Sequence, residues 1–163
     1  MTPAVRAFDE RDWPAVSAIV RRVVDDGDSY AYDPAWDDDT LHAVWVEPPP
    51  AHTVVAVDGD EILGTAKMGP NRPARGSHVA TASFMVAPAA RGRGVGRMLG
   101  EHVIGWARDA GYAAIQFNAV VEVNHPAVRL WRSLGFEIVG TVPEAFDHPS
   151  AGRVGLHVMY LRL

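Results

Sequence analysis

Cysteine is absent from the 163 residues, and that omission removes disulfides, thiolate metal sites and a cysteine nucleophile from consideration. It also agrees with a reducing compartment. No stretch approaches the roughly 20 consecutive apolar residues of a membrane-spanning helix, and the first residues, MTPAVRAFDERDW, carry charge where a secretory signal needs an apolar core. A cytoplasmic location without membrane attachment is expected. Basic charge is in deficit too, with 15 Lys and Arg against 20 Asp and Glu and a formal charge of -5, so bulk charge does not support a nucleic-acid-binding surface. The seven histidines are scattered without metal-ligand spacing, and no metal is expected. His42, His52 and His102 read as surface or helix-packing residues.

What is present reads as one globular domain over residues 1–163, with 48% hydrophobic and 21% charged residues and no repeat. The one strongly punctuated segment, VEPPPAHT, is too short for an interdomain linker. A short strand over 5–8 precedes a helix whose Trp13, Val16, Ile19, Val20 and Val23 share a face, with Asp9 or Asp12 as N-cap. A polar, aromatic stretch, DDGDSYAYDPAWDDDT, leads into a short helix over 38–46 and could line a cleft. Asp58-Gly59 between two apolar runs predicts a hairpin of strands over 53–57 and 61–68. The loop GPNRPARGS separates these from a third strand in HVATASFMVAP. Spacings of three and four from Val95 to Ala110 predict an amphipathic helix, closed by Gly111. Strand AAIQFNAV, helix HPAVRLWRSLG, strand FEIVGTV and strand RVGLHVMYL complete a mixed α/β order.

The run APAARGRGVGRML, between a strand and a helix, puts arginines and glycines where unpaired backbone N–H groups and a positive dipole end favour an anion. A Walker-type loop does not fit, because no Gly-Lys-Ser/Thr follows. A dinucleotide fingerprint does not fit either, because Leu99 stands where its third glycine belongs and no βαβ unit surrounds it. A different phosphate cradle is required.

FMVAPAARGRGVGRML resembles the acetyl-CoA pyrophosphate loop of the GNAT superfamily of N-acyltransferases, with Arg91, Gly94 and Gly96 at the pattern positions. VNHPAVRLWRSLGFEIVG resembles the same family's second signature at Asn124, Ala127, Leu130, Gly135 and Phe136. The resemblance implies a mostly antiparallel sheet whose two central strands splay into a V, flanked by helices. It implies acetyl-CoA as cosubstrate and transfer of acetyl to an amine, the nearest branches being the azetidine-2-carboxylate (proline-analogue) and phosphinothricin acetyltransferases, so a small amine or amino acid is the expected acceptor. For the cofactor it implies backbone amides from Arg93 through Gly94, Val95 and Gly96 to Arg97 on the pyrophosphate, with Arg91 at the loop's start. Met85 and Val86 would pair with the pantetheine amides, and Asn124 would bond the pantetheine arm. Homodimers are frequent in the family.

Two departures stand out. Trp131 occupies the position of a tyrosine that many relatives use as general acid, and an indole N–H is a very poor acid, so Trp131 is expected to pack against the cofactor. The strand HVATASFMV carries no carboxylate where some relatives place a base; Thr81 stands near that position. The general acid and base are therefore unassigned, with His78, His148 and His157 as base candidates near the cleft end. The resemblance implies that Ser83 would face the thioester, and Asn118 shares a face with Gln116 and is either a substrate contact or a structural amide. Tyr30, Tyr32 and Trp36 are either core aromatics beneath a loop or walls of the acceptor pocket. Asn124 also reads as an N-cap. Two other readings compete: a non-catalytic acyl-CoA sensor, and a protein or peptide N-acetyltransferase with an acidic groove at Asp37 to Asp39.

Overall fold

Asp58-Gly59 turns the chain as the sequence predicts. In the computed structural model, which describes residues 2–163, β2 (His52–Asp58) and β3 (Glu61–Pro70) form an antiparallel hairpin. Gly59 has a φ of +61°, a region glycine enters without a Cβ clash. β1 (Ala4–Ala7) pairs with β2, and β4 (Val79–Val86) pairs with β3, both antiparallel. On the other side β7 (Gly152–Arg162) lies between β5 (Ala114–Val121) and β6 (Glu137–His148), antiparallel to both. The halves meet in one parallel pair, giving the order β1-β2-β3-β4-β5-β7-β6.

That pair is short. β4 and β5 are in register only at Val79 with Ala114 and Ala80 with Ile115, and beyond this they diverge into the expected V. The β3–β4 register runs without a shift, whereas β5 against β7 slips by one residue between Phe117 and Val120. The bulge therefore lies in β5, at Asn118 and Ala119, and bends that strand away from β4.

Each face of the sheet carries its own core. α1 (Trp13–Asp26) and α2 (Asp38–Trp45) bury Val16, Val20, Leu41 and Trp45 against Val55 and Met85. Trp45 Nε1 donates to Thr65 Oγ1 (3.0 Å), which donates to the Val54 carbonyl (2.9 Å), so the polar atoms inside this core are satisfied. Asp9 and Asp12 cap a one-turn 3-10 helix reciprocally just before α1, and Arg6 holds Asp12 with two bonds of 2.7 and 2.8 Å. On the opposite face α3 (Val95–Asp109) and α4 (His125–Ser133) cover Leu63, Ala66, Ala80, Ile115 and Met159.

One expectation changes. β6 does not stop near Val142 but continues to His148, because the register shifts between Val142 and Phe146 and leaves Pro143, which has no N–H, and Glu144, at φ +51°, out of the ladder. Two residues of the acidic run are engaged within the fold: Asp37 caps α2 through Thr40 N–H (2.8 Å), and Asp38 accepts from Trp13 Nε1 (2.8 Å) and from the Ser17 hydroxyl. Among the described residues no helix is long and apolar enough to cross a membrane.

Candidate active site

The divergence of β4 and β5 opens a cavity of about 570 Å³, lined by residues from both faces of the sheet. Of the sequence-predicted donor residues it brings together Met85, Val86, Arg91, Asn124 and Trp131; of the acceptor residues, Tyr30, Tyr32, Thr81, Ser83 and Asn118. Arg93, Gly94, Val95, Gly96 and Arg97 do not line it but form the turn that leads from Arg91 into α3.

That turn suits a diphosphate. Gly92 and Gly94 sit at φ +75° and +80°, and a Cβ on either would point into open space. Gly94 is the N-cap of the 15-residue α3 and no side chain caps it, so the first-turn N–H groups of Val95, Gly96 and Arg97 lack intrahelical acceptors. Val95 offers only its backbone, because its side chain is buried against Gly64. Met85 is likewise buried in the α1–α2 core. Arg97 donates to the Ser133 hydroxyl (2.6 Å), and the arginines around the turn hold long ion pairs, Arg91 with Asp26 at 3.4 Å, Arg93 with Asp58 at 3.7 Å and Arg97 with Glu101 at 3.6 Å. Exposed pairs of this length are weak and exchange readily for a stronger anion.

Trp131 is 6% exposed, its ring 4.6 Å from Phe84 and 4.8 Å from Phe117. The far edge of its six-membered ring faces α3, where a Cβ on Gly100 would meet Cζ3 at 2.9 Å. Among the described residues its indole N–H has no protein acceptor, and no side-chain nitrogen or oxygen is both buried and unpartnered, so the N–H of this cavity-lining residue is not sealed inside the core. Asn124 caps α4 through a 3.4 Å bond from Ala127 N–H and still lines the cavity.

Across the cavity the Tyr30 hydroxyl accepts from Phe84 N–H (2.8 Å) and donates to Phe84 C=O (2.8 Å), filling both positions on the β4 edge that β5 has left. Burial raises its pKa above the ordinary phenol value. The Tyr32 phenol is pushed up to about 12 by burial and by the negative charge of Glu47. Neither phenol is a base near neutral pH. Tyr30, Tyr32 and Trp36 follow one another as tilted rings 5.5 Å apart, packing on the α1–α2 core and lining the cavity. Gln116 Nε2 donates to Asn118 Oδ1 (2.9 Å), and Asn118 Nδ2 donates to Asn71 Oδ1 (2.7 Å), so the two amides share a face as their spacing requires. His78, His148 and His157 do not line the cavity; His157 is bonded to Thr141 (2.7 Å). His42 pairs with Glu10 at 2.9 Å, His52 packs on Trp106, and His102 is half-buried on α3 with its pKa lowered by desolvation.

Several lining residues have no sequence signal of their own. Phe146 and Leu156 arrive from the extended β6 and its partner. A second cavity, about 510 Å³, is lined by Glu47, Lys67, Asn71 and Arg72 and meets the first at Thr81, Ala82, Ser83 and Asn118. The rest of its wall comes from the segments VEPPPAHT and GPNRPARGS, which in sequence read only as punctuation and loop, with Lys67 contributed by β3.

The profile of the Acetyltransferase (GNAT) family matches residues 8–136. This chain belongs to the GNAT family of acetyltransferases. The splayed sheet, the acetyltransferase activity and acetyl-CoA as cosubstrate all stand with that membership. A GCN5-related N-acetyltransferase from Kribbella flavida superposes with a TM-score of 0.96 at 55% identity, covering 99% of this chain and 98% of its own. A GNAT superfamily phosphinothricin acetyltransferase from Sinorhizobium meliloti, solved with acetyl-CoA, shares the fold at a TM-score of 0.89 and 20% identity, with 100% and 89% covered. Streptothricin acetyltransferase from Streptomyces lavendulae is 29% identical over 96% of this chain and 76% of its own. The likeness to N-acetyltransferase aca1 of Schizosaccharomyces pombe is more local, 34% identity over 52% of this chain and 40% of that protein.

Proposed function

We propose that this GNAT chain acetylates the amine of a small molecule, an amino acid or an analogue of one, in the β4–β5 cleft. The observation that carries the proposal is the composition of one cavity. It joins Arg91, at the start of an uncapped helix turn, to a chamber walled by Tyr30, Tyr32 and Trp36 with Phe146 and Leu156. Such a chamber fits a compact acceptor better than an extended peptide, and the streptothricin enzyme that this chain resembles is named for a small molecule.

In this reading the backbone from Arg93 to Arg97 and the guanidinium of Arg91 hold the diphosphate. The backbone of Met85 and Val86 and the amide of Asn124 meet the pantetheine arm, and Trp131 packs on its end. Thr81, Ser83, Asn118, Tyr30 and Tyr32 contact the acceptor. Bound acetyl-CoA supplies a thioester carbonyl open to attack by an amine. The chain's own work is to align the two partners and to place donors at the carbonyl oxygen. The Trp131 N–H donates a hydrogen bond without giving up its proton.

Calorimetric titration of the folded protein with acetyl-CoA is expected to show saturable binding, and release of CoA with a panel of amino acids and primary amines is expected to show turnover. Gly94→Glu places bulk and negative charge at the diphosphate and is expected to abolish binding. No binding by the folded wild type overturns the reading. Binding without turnover across the panel favours the sensor, the reading to which Trp131 lends weight.

A further inference from the structure

Transfer to an amine needs a group that accepts the ammonium proton, and the first cavity contains none among the described residues. Its titratable side chains are Tyr30, Tyr32 and Arg91, two phenols that hold their protons and a permanent cation. No described histidine lines either cavity. One carboxylate borders the pair, Glu47, from the segment that follows α2.

We propose that Glu47 is the general base of the transfer, taking the acceptor's proton through water in the second cavity; this rests on the amine acetyltransferase reading above. Glu47 shares its cavity with Thr81, Ala82, Ser83 and Asn118, the residues common to both chambers, so a water chain from the acceptor amine to the carboxylate passes the Thr81 and Ser83 hydroxyls and the Asn118 amide. Its charge is felt at the Tyr32 phenol, which shows that its field reaches the acceptor wall. The charged and titratable groups around it are Lys67, whose Nζ stands 3.3 Å from Glu47 Oε2 and also donates to the Val44 carbonyl, with Arg72 and Tyr32. Lys67 pairs with one oxygen of this half-exposed carboxylate, a weak contact that leaves it able to exchange partners.

The step balances simply. The ammonium gives one proton to Glu47 and becomes a neutral amine, whose lone pair forms the C–N bond at the thioester carbonyl as the C–S bond breaks. CoA leaves as thiolate, the second N–H proton neutralises it by way of water, and Glu47 returns its own proton to solvent. The products are one amide, one CoA thiol and one released proton.

The simpler alternative is that Glu47 only pairs with Lys67 and anchors the end of α2. Wild type, Glu47→Gln and Lys67→Met are to be assayed across about pH 6 to 10, bracketing the ordinary range of amine titration, with L-amino acids and primary aliphatic amines as probes. Acetyl-CoA affinity and thermal midpoint are read for each protein. Glu47→Gln is expected to keep both, to lose on the order of 100-fold in kcat/KM for the amine near neutral pH, and to regain it toward pH 10, where the amine supplies itself unprotonated. Lys67→Met breaks the same ion pair but leaves the base, and is not expected to show that pH-dependent recovery. A Glu47→Gln profile parallel to wild type, or one matched by Lys67→Met, overturns the assignment of Glu47 alone. If wild type acetylates no amine, the functional reading falls and Glu47 with it.

Discussion

At the scale of single residues, Tyr30 shows how the open strand edge is managed. Where β5 departs, Phe84 would present an unpaired N–H and C=O, and one phenol satisfies both. Tyr30→Phe removes that partner from groups half-enclosed by protein and is expected to cost about 1–3 kcal/mol in urea denaturation. The tyrosines also set an alkaline limit. Their folded pKa values are raised, so the stability they contribute is whole below the ordinary phenol value near 10 and declines as pH rises through it. Stability measured at a series of pH values is expected to fall between about 10 and 12, less steeply in Tyr32→Phe. Asn118 was legible as a candidate for the cleft because a polar side chain interrupts an apolar strand, and Arg91 because a cation precedes a glycine turn; both line the cavity. Glu47 was not legible, since its place beside the second cavity depends on the end of α2 coming to rest against β3, where Lys67 meets Val44 and Glu47, a tertiary contact that no local pattern encodes.

At the scale of elements, α3 is where sequence and packing agree most closely, and its two interior glycines separate propensity from fit. A Cβ on Gly105 would meet nothing within 4 Å, so Gly105→Ala is expected to stabilise by up to about 1 kcal/mol through helix propensity alone. Gly100 is opposed by Leu134 Cδ1 and Trp131 Cζ3, both 2.9 Å from such a Cβ. Leu134 can turn aside, but Trp131 is held by Phe84, Phe117 and Phe136, so Gly100→Ala is expected to destabilise by roughly 1–3 kcal/mol despite the same propensity gain. Opposite shifts in denaturant midpoint check the pair. The helices and hairpin were readable because periodicity and Asp-Gly chemistry are local. The length of β6 was not, because Pro143 ends a strand by local rules and is carried past only by the ladder to β7.

At the scale of the whole molecule, the V leaves the sheet joined at its centre by only two register pairs, Val79 with Ala114 and Ala80 with Ile115. Below that junction, the interior of the cleft is held by the aromatic contacts of Phe84 with Phe117 and Trp131, and by the Asn71–Asn118 bond. A ligand seated between the strands therefore bridges two halves that otherwise share little backbone, and it does so only in the folded state. At a hundredfold excess over its dissociation constant such a ligand adds about 2.7 kcal/mol of stability. For a chain of this size that corresponds to a rise in thermal midpoint of roughly 5–11 °C. Free CoA is expected to raise the midpoint nearly as far as acetyl-CoA, because in the proposed binding mode the α3 turn and Asn124 address the diphosphate and pantetheine rather than the acetyl group. Gly94→Glu is expected to remove both shifts while leaving the unliganded midpoint close to wild type, since its side chain enters open space and only the left-handed backbone resists it. A rise with acetyl-CoA and none with CoA would move the main binding energy from the turn to the acetyl end of the cleft and overturn the division into donor and acceptor halves.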